Sequence, residues 1–481
     1  MTASTNRILT WLLSLALLYA CWQAAYLQEF YYLLLPLTLL LGICLVHYPV
    51  YLFYLLVFSI PWSIEFNFSQ NLGTDFPDEP LMLLMSFSML GYLIWNRRTI
   101  RARHLHPLLF ILFLQLVWTL CTLAASTEPL YSFKFILAKT WYLLAFVAAP
   151  LVLFRDEKVL KRSALLLLFS MSCVTLIGLL RHGQKGWSFD TINESLLPFF
   201  RNHVSYSALL VFMVPLLILV IKRVNGRWAR SLLYILFFVT LVALYFSYAR
   251  GAWLALVFGL LSYWLIRKKL LVASFCLAIA LSAAAVFWIS ENYRYMRLAP
   301  DFRTTIYHSD FREHLVATYE LKDVSTAERV HRWVAGIRMA EDTWMAGTGP
   351  ASFYWNYKPY TLPAFRTWVS RNEEQSTVHN YFLLLLIEQG LPALLLFVLL
   401  LATAFFYVQC ISQRKGDPFW TSAAVTAGVI LVMECTVNFL SDLVETDKAG
   451  SVFYICLAVI IIADWKTVKR SDPPSYVQRI S

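Results

Sequence analysis

The chain has 481 residues, of which 59% are hydrophobic and only 14% charged. That balance excludes a water-soluble globular protein, because the apolar side chains far outnumber what a polar surface can cover. The net charge of +11 gives no reason to expect nucleic acid as a partner, since the basic residues sit in short stretches between apolar runs.

Apolar runs of roughly 17–22 residues match the thickness of a bilayer core. They predict about fourteen membrane helices, at 8–26, 30–46, 48–63, 79–96, 107–124, 130–154, 163–180, 204–222, 231–248, 252–266, 270–290, 391–409, 419–440 and 449–463. The first run is full length and lacks a small-residue cleavage site, so it reads as a span and not as a cleavable signal. With Arg7 at the start, the basic loops NRRTIRARH, RDEKVLKR, KRVNGRWAR, RKK and SQRKGD and the tail DWKTVKR all fall on one side. That side is cytoplasmic by the positive-inside rule. The expected fold is therefore all-α, a polytopic helical membrane protein with one large periplasmic loop of helices. Residues 1–290 hold the first eleven membrane helices, 291–390 the large loop, and 391–481 the last three helices and a cytoplasmic tail.

Two smaller outer loops precede the large one, at about 64–78 and 181–203. The eight cysteines lie in or beside apolar runs and form no CxxC pair, which argues against a disulfide framework or zinc site. The cytoplasmic loops carry no Rossmann or P-loop fingerprint. Chemistry is expected on the outer side, on a substrate already there, with no cofactor and no metal.

Several side chains are candidates for that chemistry. Lys134 and Lys139 lie in LYSFKFILAKTW, with Lys139 about 13 Å inside the span. Such a charge faces a partner or a substrate; a pair with Glu434 and an anionic-substrate site are both open. Arg201, two residues before His203, and Arg250, in YFSYARGAWLAL, sit at outer ends of spans. An arginine there either snorkels to the interface or pairs with phosphate oxygens in bidentate fashion. In the large loop, STAERVHRWVAGIRMAEDTWMAGTGPASFYWNYKPY predicts an amphipathic helix, a glycine turn at Gly347 and Gly349, and an aromatic segment. Arg329, His331, Arg332 and Arg338 are candidates for an anionic group, and Trp355, Tyr357 and Tyr360 for stacking on sugar rings.

The segment STVHNYFLLLLIEQGLPALLL places His379 at the mouth of the membrane. Its pKa range suits acid–base work near neutrality. Asn380 is expected to cap a helix that ends at Gly390, with Pro392 opening the span proper. Glu388 lies nine residues on, about 13 Å along that helix, and so does not orient His379.

Three stretches together resemble the bacterial O-antigen ligase/polymerase superfamily, integral-membrane glycosyltransferases of the GT-C type. SYARGAWLALVFGLL is similar to a span beginning with Ser-Arg-Gly, here with Ala249 before Arg250. AERVHRWVAGIRMAEDTWMAGTGPASF is similar to Arg-x-x-x-Trp leading into Gly-x-Gly-x-x-x-Phe. His379-Asn380 followed by nine residues and Gly390 resembles the ligase pattern, with Ala393 where that pattern ends in glycine. The resemblance covers about 195–410.

It implies a glycan donor on undecaprenyl pyrophosphate at the outer leaflet of the inner membrane and an inverting transfer. It maps the catalytic histidine onto His379 and phosphate-binding arginines onto Arg250 and Arg201. Lys139 is a third candidate for the pyrophosphate, while Arg329, Arg338, Tyr357 and Asn380 are candidates on the loop and acceptor side. The implied acceptor is a glycan or lipid A-core, in a membrane-lipid setting. Repeat-unit polymerisation and transfer to a protein hydroxyl are the alternatives. A lipid-linked glycan flippase fits less well, because the chain has one large late loop and no repeated halves.

Overall fold

The computed structural model describes residues 47–69, 72–97, 105–298, 324–366, 370–372 and 375–468, with 14–15, 17–23 and 42. Of the expected spans, 8–26 is described only at 14–15 and 17–23 and 30–46 only at 42, while loop segment 299–323 and the tail from 469 lie outside the described residues.

The described chain is a helical bundle with one small hairpin. Helix α1 (Pro49–Ser59) leads into strands β1 (Ile64–Ser69) and β2 (Leu72–Phe76), then α2 (Asp78–Trp95), α3 (Pro107–Thr122), α4 (Pro129–Leu153) and α5 (Glu157–Gln184). After these come α6 (His203–Arg223), α7 (Arg227–Phe246), α8 (Arg250–Arg267) and α9 (Leu271–Ser290). The large loop contributes α10 (Val324–Thr343), and the chain returns through α11 (Tyr381–Gln413), α12 (Pro418–Phe439) and α13 (Asp447–Thr467). Among the described residues nine of these helices are long and apolar enough to cross a membrane, namely α3 to α7, α9 and α11 to α13. Helices α1, α2 and α8 occupy the remaining described positions where spans are expected.

Helix starts follow local chemistry. Proline opens α1, α3, α4 and α12, where its missing N–H costs nothing. Asp156, Asn202 and Asp417 cap α5, α6 and α12 by accepting from backbone N–H groups two or three residues on. The outer loop at 64–78, expected without strands, forms an antiparallel hairpin in which Glu65 pairs with Asp75.

Helix α13 is the centre of the bundle, buried along nearly its whole length, and α12 packs against it. Helices α4, α6, α8 and α11 surround that pair, and α3 packs on α11. Helix α9 buries almost none of its apolar length and lies at the rim, where its apolar surface faces lipid. This order puts the α12–α13 connection, 440–446, in the middle of one end of the bundle.

Candidate active site

Helix α11 is two helices joined at a kink. Gly390 has φ +75° and ψ 178°, a conformation essentially restricted to glycine, and Pro392 follows it. The break expected from Gly390 and Pro392 is therefore present. The carbonyl and side chain of Gln389, next to the break, accept from Trp118 Nε1 and Thr119 Oγ1 of α3, each at 2.8 Å. The loop locks onto the same place. Gly349 N donates to Glu388 O at 2.8 Å, and Leu391 N donates to Trp344 O at 2.7 Å. A Cβ on Gly347 would stand 2.2 Å from the backbone of Glu388, so only glycine permits this approach. The Glu388 carboxylate accepts from the N–H groups of Ala351 and Phe353, each at 2.9 Å. Glu388 is thus a fastener for the aromatic segment, in keeping with its exclusion as a partner of His379.

The first half of α11 starts at the candidate base. Asn380 caps it as expected, accepting from Leu383 N at 3.0 Å. His379, immediately before, is held at φ +53°. Its Nδ1 lies 3.9 Å from Asp442 Oδ1, and the other Asp442 oxygen accepts from Thr377 Oγ1 at 2.5 Å. The His379 side chain is 36% exposed and so reachable from outside. Burial, reinforced by the Arg332 and Arg329 charges, pushes the imidazole well below its usual pKa, so it is neutral at pH 7. Burial acts on Asp442 in the opposite sense and raises its pKa, against the opposing effect of its bond from Thr377.

Helix α10 supplies the cationic wall. Arg332 Nη1 donates to Thr377 O at 3.2 Å, and Nη2 lies 3.6 Å from Glu328 Oε2. His331 is buried at 3% exposure and its pKa is lowered by burial, which removes it as a ligand for an anion.

The other expected residues divide. Arg250 opens α8 with Leu440 against the adjoining Gly251, two residues from Asp442. Arg250 thus belongs to the same end of the bundle as His379. Arg201 is 73% exposed and ion-paired with Glu65 of β1. Its loop reaches the Arg250 segment through Phe189, whose ring meets His203 at 5.6 Å and Tyr248 at 5.7 Å. Arg338 donates to Tyr360 O at 2.5 Å and serves the loop's own backbone.

Three expectations are corrected. Lys139 pairs with Glu445 at 2.7 Å and not with Glu434, whose carboxylate instead accepts from Asn438. Its charge is thereby matched inside the protein, so a pyrophosphate role does not fit it. Tyr357 is 1% exposed and stacked on Phe353 at 4.9 Å, so no sugar ring reaches it. Asp442 and Glu445 were not singled out from sequence. The signal was the short outer turn SDLVETD between two apolar spans, where three acids crowd into seven residues.

Residues 235–398 match the family model described as O-antigen ligase. The matched segment, about a third of the chain, contains Arg250, the α10 arginines, the glycine turn and His379-Asn380; Arg201, Lys139, Asp442 and Glu445 lie outside it. A search of curated proteins finds no match to the chain. That segment is similar to the O-antigen ligase family, and the multi-pass helical fold around it is in keeping with the O-antigen ligase/polymerase superfamily.

Proposed function

We propose that the protein transfers a glycan from undecaprenyl pyrophosphate to an acceptor hydroxyl at the periplasmic face of the bacterial inner membrane. The observation that carries this reading is a reachable, neutral His379 backed by Asp442, with Arg329 and Arg332 beside it and Arg250 at the same bundle end. In the transfer, the acceptor oxygen attacks the anomeric carbon as the bond to the pyrophosphate oxygen breaks, with inversion. His379 takes or orients the hydroxyl proton through Nε2, while Asp442 stabilises the imidazolium from the Nδ1 side. The 3.9 Å separation tightens to a hydrogen bond when substrate closes the site, as apo geometries commonly do. Arginines stabilise the charge that develops on the departing pyrophosphate. Pyrophosphate is already a good leaving group, so neither ATP nor an obligatory metal is required.

The favoured acceptor is lipid A-core, making the enzyme a ligase, on the His379-Asn380 spacing to Gly390. Ala393 at the end of that pattern keeps repeat-unit polymerase and protein O-oligosaccharyltransferase as the second reading. The genetic defect separates them: ligase-null cells accumulate long lipid-linked chains, and polymerase-null cells place single repeat units on the acceptor. The direct test is glycan transfer by purified His379→Ala with a lipid-pyrophosphate donor. A loss of about 10²–10⁴-fold in a well-folded protein is expected. Full activity would reduce His379 to an interfacial residue.

A further inference from the structure

A buried polar cluster adjoins His379 and takes no part in the transfer step as drawn above. Tyr381, two residues after His379, is 2% exposed. Its hydroxyl donates to Glu445 Oε1, the oxygen that also accepts from Lys139 Nζ at 2.7 Å. The Tyr381 N–H donates to Ser441 O at 3.0 Å. Two residues before His379, Thr377 donates to Asp442 at 2.5 Å. The 440–446 turn therefore grips the chain on both sides of the histidine, through Asp442 before it and through Ser441 and Glu445 after it.

Between the grips, His379 holds a left-handed backbone that residues with a Cβ seldom adopt. Such a conformation persists only where its surroundings over-determine it. Lys139 is the far anchor. It is 7% exposed, and a lysine at that depth requires a matched anion, which Glu445 supplies. The cavity beside it, lined by Gln115, Thr119, Lys139, Tyr381, Leu385, Gln389 and Ala393, has a volume of about 10 Å³. That is room for about one water and not for a pyrophosphate.

Resting on the reading of His379 as the acceptor base, we infer that Lys139, Glu445 and Tyr381 form a positioning clamp. It sets the depth and orientation of the imidazole against Asp442, and Lys139 acts on the reaction through His379 without touching the donor.

The test uses the full-length protein reconstituted in liposomes, with a polyprenyl-pyrophosphate-linked glycan as donor. Tyr381→Phe removes one hydroxyl and preserves the packing. It is expected to lower kcat by about 10–100-fold, the usual cost of a slightly misplaced reacting group, with donor KM unchanged. In a His379→Ala background the same substitution is expected to have no further effect. The charge swap Lys139→Glu with Glu445→Lys is expected to recover activity lost in Lys139→Glu alone. Equal losses from Tyr381→Phe with and without His379 would overturn the clamp and leave the cluster as a fold element. A raised donor KM at constant kcat in Lys139→Met would overturn it by returning the lysine to the donor. Full activity of His379→Ala by itself would instead refute the base reading, and the clamp with it.

Discussion

Gly390→Ala is the sharpest probe of the lock between the loop and the broken helix. At φ +75° and ψ 178° a side chain costs about 1–3 kcal/mol in backbone strain alone. The new Cβ would stand 2.2 Å from Met345 O and 2.4 Å from Met345 C, both backbone atoms that no rotamer change removes. Relief requires the loop to lift. That breaks the Leu391 N to Trp344 O and Gly349 N to Glu388 O bonds, each worth about 0.5–1.5 kcal/mol net. The summed penalty is about 2–6 kcal/mol. Ala393→Gly, three residues on in regular helix, is the control and costs only about 1 kcal/mol. Heating the detergent-solubilised proteins and following the monodisperse fraction by size exclusion reads the difference. Gly390→Ala should melt well below Ala393→Gly, and transfer should fall further than the folded fraction does, because the lifted loop carries α10 away from His379. A Gly390→Ala protein that melts with the wild type would refute the lock.

Arg250→Ala should impair donor use severely, and Arg250→Lys should recover only part of it, because an ammonium cannot make the bidentate contact. Donor KM and kcat in the purified enzyme check this, and near-wild-type values in both variants would mean that Arg250 only snorkels. The lowered pKa of His379 places the acid limb of kcat/KM well below the ordinary 6.5. Arg329→Gln withdraws a cation that disfavours the imidazolium, so the limb should move upward towards 6.5; a downward move would contradict the placement of that arginine. Because unfolding restores the higher pKa, this histidine's contribution to stability is complete above pH 6.5 and is lost as pH falls towards the folded value. Denaturation midpoints measured across that window test the sign.

What the sequence conveyed, and what it withheld, follows from the range over which each signal acts. The break in α11 was legible because Gly390 and Pro392 constrain their own backbone, and the Asn380 cap because it bonds three residues away. The positions of α1 to α9 and of α11 to α13 were legible because the bilayer imposes length and hydropathy locally, and that of α10 from its amphipathic pattern. The hairpin at 64–76 was missed although its first strand, IEFNFS, alternates apolar and polar residues, because both strands are short and lie in a loop between apolar spans. The partner of Lys139 was wrong for a different reason. Glu434 looked suitable because it lies within an apolar run, as Lys139 does, but it points to Asn438, one helical turn along. Glu445 lies in a turn that sequence would leave at the surface.

That turn is the piece of the site that local reasoning could not assemble. Asp442 is 63 positions from His379, and Glu445 is 306 from Lys139, so no spacing rule links either pair. They meet because α13 runs through the centre of the bundle, which draws the turn before it into the middle of one end. The matched family segment stops at residue 398, short of both acids. Residues 235–398 therefore supply the proposed base and its cationic wall, while the geometry of that base depends on a turn outside the segment. A hybrid that kept 235–398 and the Lys139–Glu445 pair but replaced the rest of 440–446 with a neutral turn of equal length should still fold around α12 and α13 yet transfer poorly. Wild-type transfer by such a hybrid would show that the matched segment positions its own histidine.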